Sequence, residues 1–314
     1  MKRVFLISLL LYASMLMAAA QDFILTPQWT PQSQFAGYYA AYEKGFYKEA
    51  GIDVEIVHPS KSSPTLQRLQ EGACNAITLE LIQAIIANDR NAGLVNILQT
   101  TQHSTLAIAV HDSGIKEFEE LAGCRIGTWK AGFDEIPMMI DKEKNLGIEW
   151  VEFMTPVNLY IAGAIDASLV KTYNELFTMK MSGIKPGSII YFSDKEYDFP
   201  EDGLYVKEDF YKRNKDQCQA FADASRKGWE WARKNREEAL EICMKFIKEG
   251  NVVTNMPHQQ WTFNEILSAQ EENQEKGATY MLDRDDFDRV VDMLLKFKYI
   301  SSPIEYDRFI GGGR

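Results

Sequence analysis

The chain has 314 residues, of which 46% are hydrophobic and 12% aromatic, enough to fill a core larger than that of one ordinary domain. Its formal net charge of −11 argues against nucleic acid and anionic membrane surfaces as partners. The four cysteines form no CxxC pair and have no adjacent histidine, so their spacing argues against a metal site.

The first 20 residues have the pattern of a secretory signal peptide. Lys2 and Arg3 precede an apolar stretch over residues 4–17, and three alanines end at residue 20. The stretch is shorter than the roughly 20 residues that a membrane-spanning helix needs. We therefore predict cleavage before Gln21, which changes the formal charge to −13. No cysteine lies near this point, so an exported protein without a lipid anchor is expected.

The next segment predicts a strand, a helix and a second strand. An apolar strand ends at Leu25, and the prolines and glutamines that follow indicate a loop carrying Trp29. Aromatic residues at helical spacing over residues 35–46 predict the helix, and residues 54–57 the second strand. Ligands of open α/β sheets bind beyond the carboxyl ends of the strands. Trp29 therefore either stacks on a planar heterocycle or packs over a domain edge.

The remaining pattern predicts an α/β protein with two lobes. Strands and helices alternate over residues 61–110 and again over residues 125–192. A strand at residues 204–206 is expected to return to the first lobe, and charged helical segments follow it. The predicted division is residues 21–110 with 195–314 for lobe 1, and residues 111–194 for lobe 2.

Polar and aromatic residues beside predicted helix starts are candidates for ligand contacts. Ser62 and Ser63 precede a helix that opens at Pro64, so they are either ordinary caps or part of a helix amino terminus that donates to a ligand oxygen. Trp129 lies in the equivalent turn of lobe 2, where it presents a second stacking face or covers the lobe surface.

Three carboxylates occupy positions that suit a planar heterocycle with an amino group, because a carboxylate accepts from the ring amino group while an aromatic side chain holds the plane. Glu80 and Glu175 follow strands, and Asp198 lies near the second crossover; each is alternatively a solvated acid. His103 begins a strand and either faces the cleft or packs between the lobes. The sequence contains no GxSxG, HExxH, Walker or GxGxxG motif.

The motif W-x-P at Trp29 is followed by G-Y-Y-A-A-x-x-x-G-F-Y-x-x-x-G-I-D-V, by Q-H-S-T-L-A from Gln102 and by G-I-K-E-F-E-E-L-A-G-C-R-I-G from Gly114. In these landmarks, the chain resembles the NMT1/THI5-like (SsuA/THI5-like) binding proteins for thiamine-pyrimidine precursors. That family also includes the yeast-type pyrimidine phosphate synthases. Some landmarks are shared with alkanesulfonate and nitrate-type binding proteins, so they indicate the superfamily rather than one ligand.

The resemblance implies a type II periplasmic-binding-protein fold, with two lobes of mixed sheet and flanking helices around a hinge and an interlobe cleft. It also implies a periplasmic, monomeric, cofactor-free component of an ABC importer, which delivers a hydroxymethylpyrimidine-like ligand to a permease in the inner membrane. Glu175 resembles the family's carboxylate after the second-lobe strand. The predicted ligand-binding residues are Trp29, Gln34, Ser62, Ser63, Glu80, His103, Trp129, Tyr173, Glu175 and Asp198.

Two other functions remain open. A receptor for an alkanesulfonate or nitrate-type anion would rely on helix amino termini rather than on Trp29. A pyrimidine-synthase-like enzyme would need a titrating side chain, for which His58 and His103 are the candidates, although export and the absence of clustered cysteines speak against it. Cys218 and Cys243 are either a disulfide in the helical region or reduced core residues.

Overall fold

The computed structural model describes residues 21–130, 133–271 and 277–311. The predicted signal peptide lies outside the described residues. The strands are β1 (Gln21–Thr26), β2 (Ile52–Ile56), β3 (Ala76–Glu80), β4 (Leu94–Gln99), β5 (Leu106–Val110), β6 (Arg125–Trp129), β7 (Glu149–Phe153), β8 (Ala167–Lys171), β9 (Ser188–Tyr191) and β10 (Asp202–Lys207). The α-helices are α1 (Ala36–Glu43), α2 (Phe46–Glu49), α3 (Thr65–Gln70), α4 (Leu81–Asp89), α5 (Glu135–Lys144), α6 (Pro156–Ile161), α7 (Glu175–Met181), α8 (Glu208–Arg213), α9 (Lys215–Lys234), α10 (Arg236–Glu249), α11 (Met256–Ala269), α12 (Arg284–Lys296) and α13 (Tyr306–Phe309).

The first sheet has the strand order β2-β1-β3-β10-β4. Strand β1 lies between β2 and β3 and is parallel to both, so these three strands end at the same edge. Strand β10 inserts antiparallel between β3 and β4. The predicted return of the chain to the first lobe at residues 204–206 is therefore confirmed.

The second sheet has the order β7-β6-β8-β5-β9. Strand β5 pairs antiparallel with both β8 and β9, with Leu106 opposite Lys171. The predicted assignment of residues 106–110 to lobe 1 is thus wrong, because the chain has already crossed to the second sheet before β5 begins. An apolar strand carries no local mark of the sheet that it joins, so the sequence could not place the crossover.

Two chain segments connect the sheets and bond to each other. His103 Nδ1 donates to Asp198 Oδ2 at 2.6 Å, and the Ser104 backbone N–H donates to Asp198 Oδ1 at 2.8 Å. Ser104 Oγ also donates to Glu201 Oε1 at 2.8 Å. The two crossovers therefore form one hydrogen-bonded hinge at residues 103–105 and 198–201.

The core of the first lobe is built from β1, α1 and the later helices. Phe23 of β1 stacks on Phe221 of α9, with ring centroids 4.1 Å apart. Cys218 and Cys243 are both fully buried in this core and are free thiols. Within the described part of the chain, no helix combines the length and hydrophobicity that crossing a bilayer requires.

Helices α1 and α9 approach closely because glycine lies at the contact. A Cβ added to Gly228 would lie 2.1 Å from the Gly37 carbonyl oxygen and 2.7 Å from Ala41 Cβ. We expect Gly228→Val to lower the free energy of unfolding by about 2 kcal/mol, since overpacking forces the two helices apart. Urea unfolding measures this change. The exposed α9 control Gln219→Val should cost less than about 0.7 kcal/mol, and an equal loss in both variants would contradict the close packing.

Candidate functional site

A cavity of about 500 Å³ lies between the two lobes, next to the ends of β3, β6 and β8. Both lobes contribute to its wall. The first supplies Trp29, Thr30, Pro31, Gln32, Glu80, Val252, Val253, Thr254, His258 and Gln259, and the second supplies Trp129, Lys130, Phe133, Met154, Thr155, Lys171, Tyr173, Asn174 and Glu175. A volume of this size accommodates a small organic ligand.

Aromatic side chains from both lobes face this cavity. The rings of Trp29 and Phe133 lie 5.2 Å apart between centroids, inclined by 56°, so they touch across the cleft. Trp129 ends β6 and Tyr173 follows β8, which places both beside the second sheet's edge. Phe133 has a φ of 72°, an uncommon conformation for a side chain of this size. The cavity thus offers flat apolar faces on both sides.

A buried ion cluster joins the lobes at the floor of the cavity. Lys171 Nζ lies 2.9 Å from Glu80 Oε1 and 3.0 Å from Glu201 Oε2. Burial raises the pKa of Glu80, and the Lys171 charge offsets only part of this effect. Burial acts to lower the pKa of Lys171, but the charges of Glu201 and Glu80 outweigh it and leave that pKa above its usual value. The ammonium is therefore charged and shared between two carboxyl groups.

Glu175 begins α7 and presents its carboxyl group to the cavity. Its Oε2 accepts from the Lys171 backbone N–H at 2.9 Å, and its Oε1 accepts from Asn174 Nδ2 at 3.0 Å. Burial raises the pKa of this carboxyl above the ordinary glutamate value. A carboxylate in the first turn of a helix also interacts favourably with the helix dipole. Glu175 is thus a fixed hydrogen-bond acceptor on the second lobe.

Helix α11 brings polar groups to the cavity from a distant part of the chain. Gln259 Oε1 accepts from the Ser33 backbone N–H at 2.7 Å, and its Nε2 donates to Thr254 Oγ1 at 3.0 Å. The His258 ring stacks on Phe177 of the second lobe, with centroids 4.7 Å apart. Burial lowers the pKa of His258. Both side chains are fixed by contacts before any ligand arrives.

The structure brings five of the ten predicted binding residues to the cavity wall: Trp29, Glu80, Trp129, Tyr173 and Glu175. Two others bond across the hinge, since His103 and Asp198 pair with each other. Gln34 is 2% exposed, and its Nε2 donates to Asp202 Oδ2 at 2.7 Å. These three residues support the hinge region and the loop beneath the cavity.

Ser62 and Ser63 do not line the cavity. Ser62 lies in an exposed turn, where its hydroxyl is 3.1 Å from that of Ser60. Ser63 pairs with Ser60 through their backbones, and the cap of α3 is Pro64, whose extended conformation leaves Thr65 as the first helical residue. The prediction that Ser63 caps this helix is therefore wrong.

Several residues of the cavity wall were missed by the sequence analysis. Lys171 is the last residue of β8 and lies two residues before Tyr173, so its position was a usable signal. Phe133 follows a turn, and nothing local marks it as facing Trp29. His258 and Gln259 lie more than 60 residues beyond the last strand of the second sheet, β9, and only tertiary packing brings them here.

Comparison with known proteins identifies relatives over most of the chain. The family model described as NMT1/THI5 like matches residues 32–239. The formylaminopyrimidine-binding protein of Halalkalibacterium halodurans is 25% identical over 293 residues, which cover 88% of this chain and 85% of that protein.

Solved structures share the fold at lower identity. The periplasmic aliphatic sulphonate binding protein SsuA of Escherichia coli matches with a TM-score of 0.65 and 12% identity, over 93% of this chain and 92% of that one. The desulfurization enzyme DSZB matches with a TM-score of 0.60 and 14% identity, over 92% of this chain and 96% of that one. The predicted two-lobe arrangement of mixed sheets is thereby confirmed as a periplasmic-binding-protein fold. Because the family model covers well over half of the sequence, the chain belongs to the NMT1/THI5-like family.

Proposed function

We propose that this protein is the extracytoplasmic receptor of an ABC importer and that it binds a hydroxymethylpyrimidine-like aminopyrimidine of the thiamine pathway. The observation that carries the proposal is one interlobe cavity with aromatic rings from both lobes around the carboxyl groups of Glu80 and Glu175. The name of the Halalkalibacterium halodurans relative supports the same ligand class. Export to the periplasm, a monomeric state and delivery to a permease belong to this proposal.

The chemistry of an aminopyrimidine fits this wall. Trp29 stacks on one face of the ring, and Trp129 of the second lobe covers the other. Base stacking on an aromatic side chain contributes about 1 to 3 kcal/mol. The Glu175 carboxyl accepts hydrogen bonds from the exocyclic amino group. Contacts to both lobes make the closed form the better binder, which is the condition for closure upon binding.

An anion receptor is the second candidate, because Lys130 also lines the cavity. The other cation of the wall, Lys171, is already shared between Glu80 and Glu201. The amino terminus of α3, which was predicted to bind an alkanesulfonate or nitrate-type ligand together with Ser62 and Ser63, lies outside the cavity wall. A sulfonate would also face Glu175, whose two carboxyl oxygens both accept hydrogen bonds, whereas an aminopyrimidine supplies donors, so the polar groups of the wall favour the aminopyrimidine.

An enzymatic function has less support from the site. Neither candidate base lines the cavity. His58 bonds to Trp29 and Tyr39, and His103 bonds to Asp198. DSZB has the same fold and is an enzyme, which means that fold alone does not decide the matter. The test is turnover: no chemical change of the bound pyrimidine is expected during prolonged incubation, and its conversion would contradict the receptor proposal.

Calorimetric titration tests the ligand directly. We expect 4-amino-5-hydroxymethyl-2-methylpyrimidine to bind and Trp29→Ala to weaken that binding by about 10- to 100-fold, because stacking on the indole is lost. Trp231→Ala is the matched control, since Trp231 lies on α9 away from the cavity with Lys44 over its ring. Tight binding of an alkanesulfonate that Trp29→Ala leaves unchanged would refute the proposal and favour the anion receptor.

A further inference from the structure

Three consecutive residues of the loop that carries Trp29 are anchored by side chains from three different parts of the chain. Thr65 Oγ1 donates to the Pro27 carbonyl at 2.9 Å, and the Gln28 N–H donates to Thr78 Oγ1 at 2.9 Å. The third anchor is His58, whose Nδ1 lies 2.6 Å from the Trp29 carbonyl oxygen. The peptide between Pro27 and Gln28 and the peptide that follows the Trp29 Cα are thus both held from outside the loop.

The contacts of His58 define which ring nitrogen always carries a proton. A carbonyl oxygen only accepts hydrogen bonds, so Nδ1 must carry the proton and donate to Trp29. In the neutral ring, Nε2 is then an acceptor for the Tyr39 hydroxyl, 2.8 Å away. Tyr39 is fully buried and stacks on Phe246, with centroids 4.1 Å apart and the rings inclined by 10°. The imidazole is therefore held at both nitrogens by groups that cannot easily move.

The same tyrosine also holds the far side of the loop. The backbone of Gln32 hydrogen-bonds to the Tyr39 side chain, and both Trp29 and Gln32 line the cavity. His58 and Tyr39 together therefore tie the loop at two points, although neither of them lines the cavity. Burial lowers the pKa of His58 to about 4, so the neutral tautomer with its proton on Nδ1 is the form present at neutral pH.

We propose that His58 is a positioning residue of the binding site, whose Nδ1–H fixes the Trp29 carbonyl and thereby the orientation of the indole that stacks on the ligand. The carbonyl belongs to the peptide plane that follows the Trp29 Cα, so fixing it restricts ψ of Trp29 and the direction of its Cβ. This role rests on the proposed function, because it assumes that Trp29 contacts the ligand ring.

The substitutions His58→Asn and His58→Gln distinguish the roles of the two ring nitrogens. The side-chain nitrogen of asparagine reaches the position of Nδ1, whereas that of glutamine reaches the position of Nε2. Both changes remove the imidazole and its contact with Phe35, where the ring centroids are 5.8 Å apart. Their thermal stabilities should consequently fall by similar amounts, while only His58→Asn retains a donor for the Trp29 carbonyl.

Calorimetric titration with 4-amino-5-hydroxymethyl-2-methylpyrimidine provides the test. We expect His58→Gln to weaken binding about tenfold and His58→Asn by about threefold or less, since one hydrogen bond is worth about 0.5 to 1.5 kcal/mol. In the Trp29→Ala background, His58→Gln should have no further effect on affinity. Equal losses in both single variants, or an undiminished loss without Trp29, would show that His58 only packs and would overturn the proposal.

A measurement without ligand keeps this proposal separate from the proposed function. Subtracting the fluorescence spectrum of Trp29→Phe isolates the emission of Trp29 in each His58 background. We expect this emission to shift in His58→Gln and to stay unchanged in His58→Asn. If that difference appears but no aminopyrimidine binds, the positioning of Trp29 is supported and the proposed ligand is wrong. An identical Trp29 emission in both variants would overturn the positioning role.

Discussion

Replacing Lys171 with methionine is expected to lower the free energy of unfolding by about 3 to 5 kcal/mol, because a buried charge then loses its partner. The Lys171 side chain is 9% exposed, and those of Glu80 and Glu201 are each 12% exposed. Methionine retains the length of the side chain but leaves the two carboxyl groups facing each other. Chemical denaturation followed by circular dichroism measures the loss.

The surface pair of Lys245 and Glu43 provides the matched control. Their side chains are 2.7 Å apart, and Lys245 is 53% exposed, so Lys245→Met should cost no more than about 1 kcal/mol. In the double variant Lys171→Met with Glu80→Gln, part of the loss should be recovered, because one of the two unpaired acids is removed. Equal costs for Lys171→Met and Lys245→Met would contradict a buried cluster that ties the lobes together.

The stability advantage of the wild type over His58→Asn is expected to fall by about 3 kcal/mol as the pH is lowered from 6.5 to 4. Burial lowers the pKa of His58 from 6.5 to about 4 in the folded protein. Between these values the unfolded chain binds a proton that the folded protein does not, so stability is complete above pH 6.5 and is lost on acidification. A pKa difference of one corresponds to about 1.4 kcal/mol of stability, and the difference between 6.5 and about 4 therefore gives the expected loss of about 3 kcal/mol.

Paired urea titrations at half-unit pH steps measure this difference. Subtraction of the two curves cancels the acidic groups that both proteins share. Tyr39, the titratable partner of His58, has a pKa raised by burial and does not ionise in this range. A stability difference that stays constant between pH 6.5 and 4 would mean that the imidazole is equally protonated in the folded and unfolded protein.

Much of the fold follows from local patterns in the sequence. Helical and strand periodicities predict the order of elements in both lobes, and the return of the chain at β10 was foreseeable from the two-lobe pattern. The sheet to which β5 belongs could not be predicted, because an apolar strand of five residues pairs equally well in either sheet. Which strands pair is decided by the side chains of both neighbouring strands, and those strands come from distant parts of the chain.

For the cavity, too, position in the sequence predicts some of the residues correctly and others wrongly. Trp29, Glu80, Trp129 and Glu175 lie at or just beyond strand ends, and strand ends meet at the cleft, so position alone made them candidates. His103 and Asp198 are polar and equally close to strand ends, yet they bond to each other across the hinge. Sequence shows where a polar group lies along a strand, but it does not show whether another side chain already occupies its hydrogen bonds.

Helix α11 connects the lobes as a third link, in addition to the two crossover segments. It packs in the core of the first lobe, while Trp261 Nε1 donates to the Thr172 carbonyl at 2.8 Å and Thr262 Oγ1 donates to the Tyr173 carbonyl at 2.9 Å. Both acceptors directly follow β8 of the second sheet. Any rotation that separates the lobes must either break these two bonds or carry α11 away from the first lobe. Separation of the lobes on this side therefore costs the free energy of two hydrogen bonds, in addition to any change at the crossover segments.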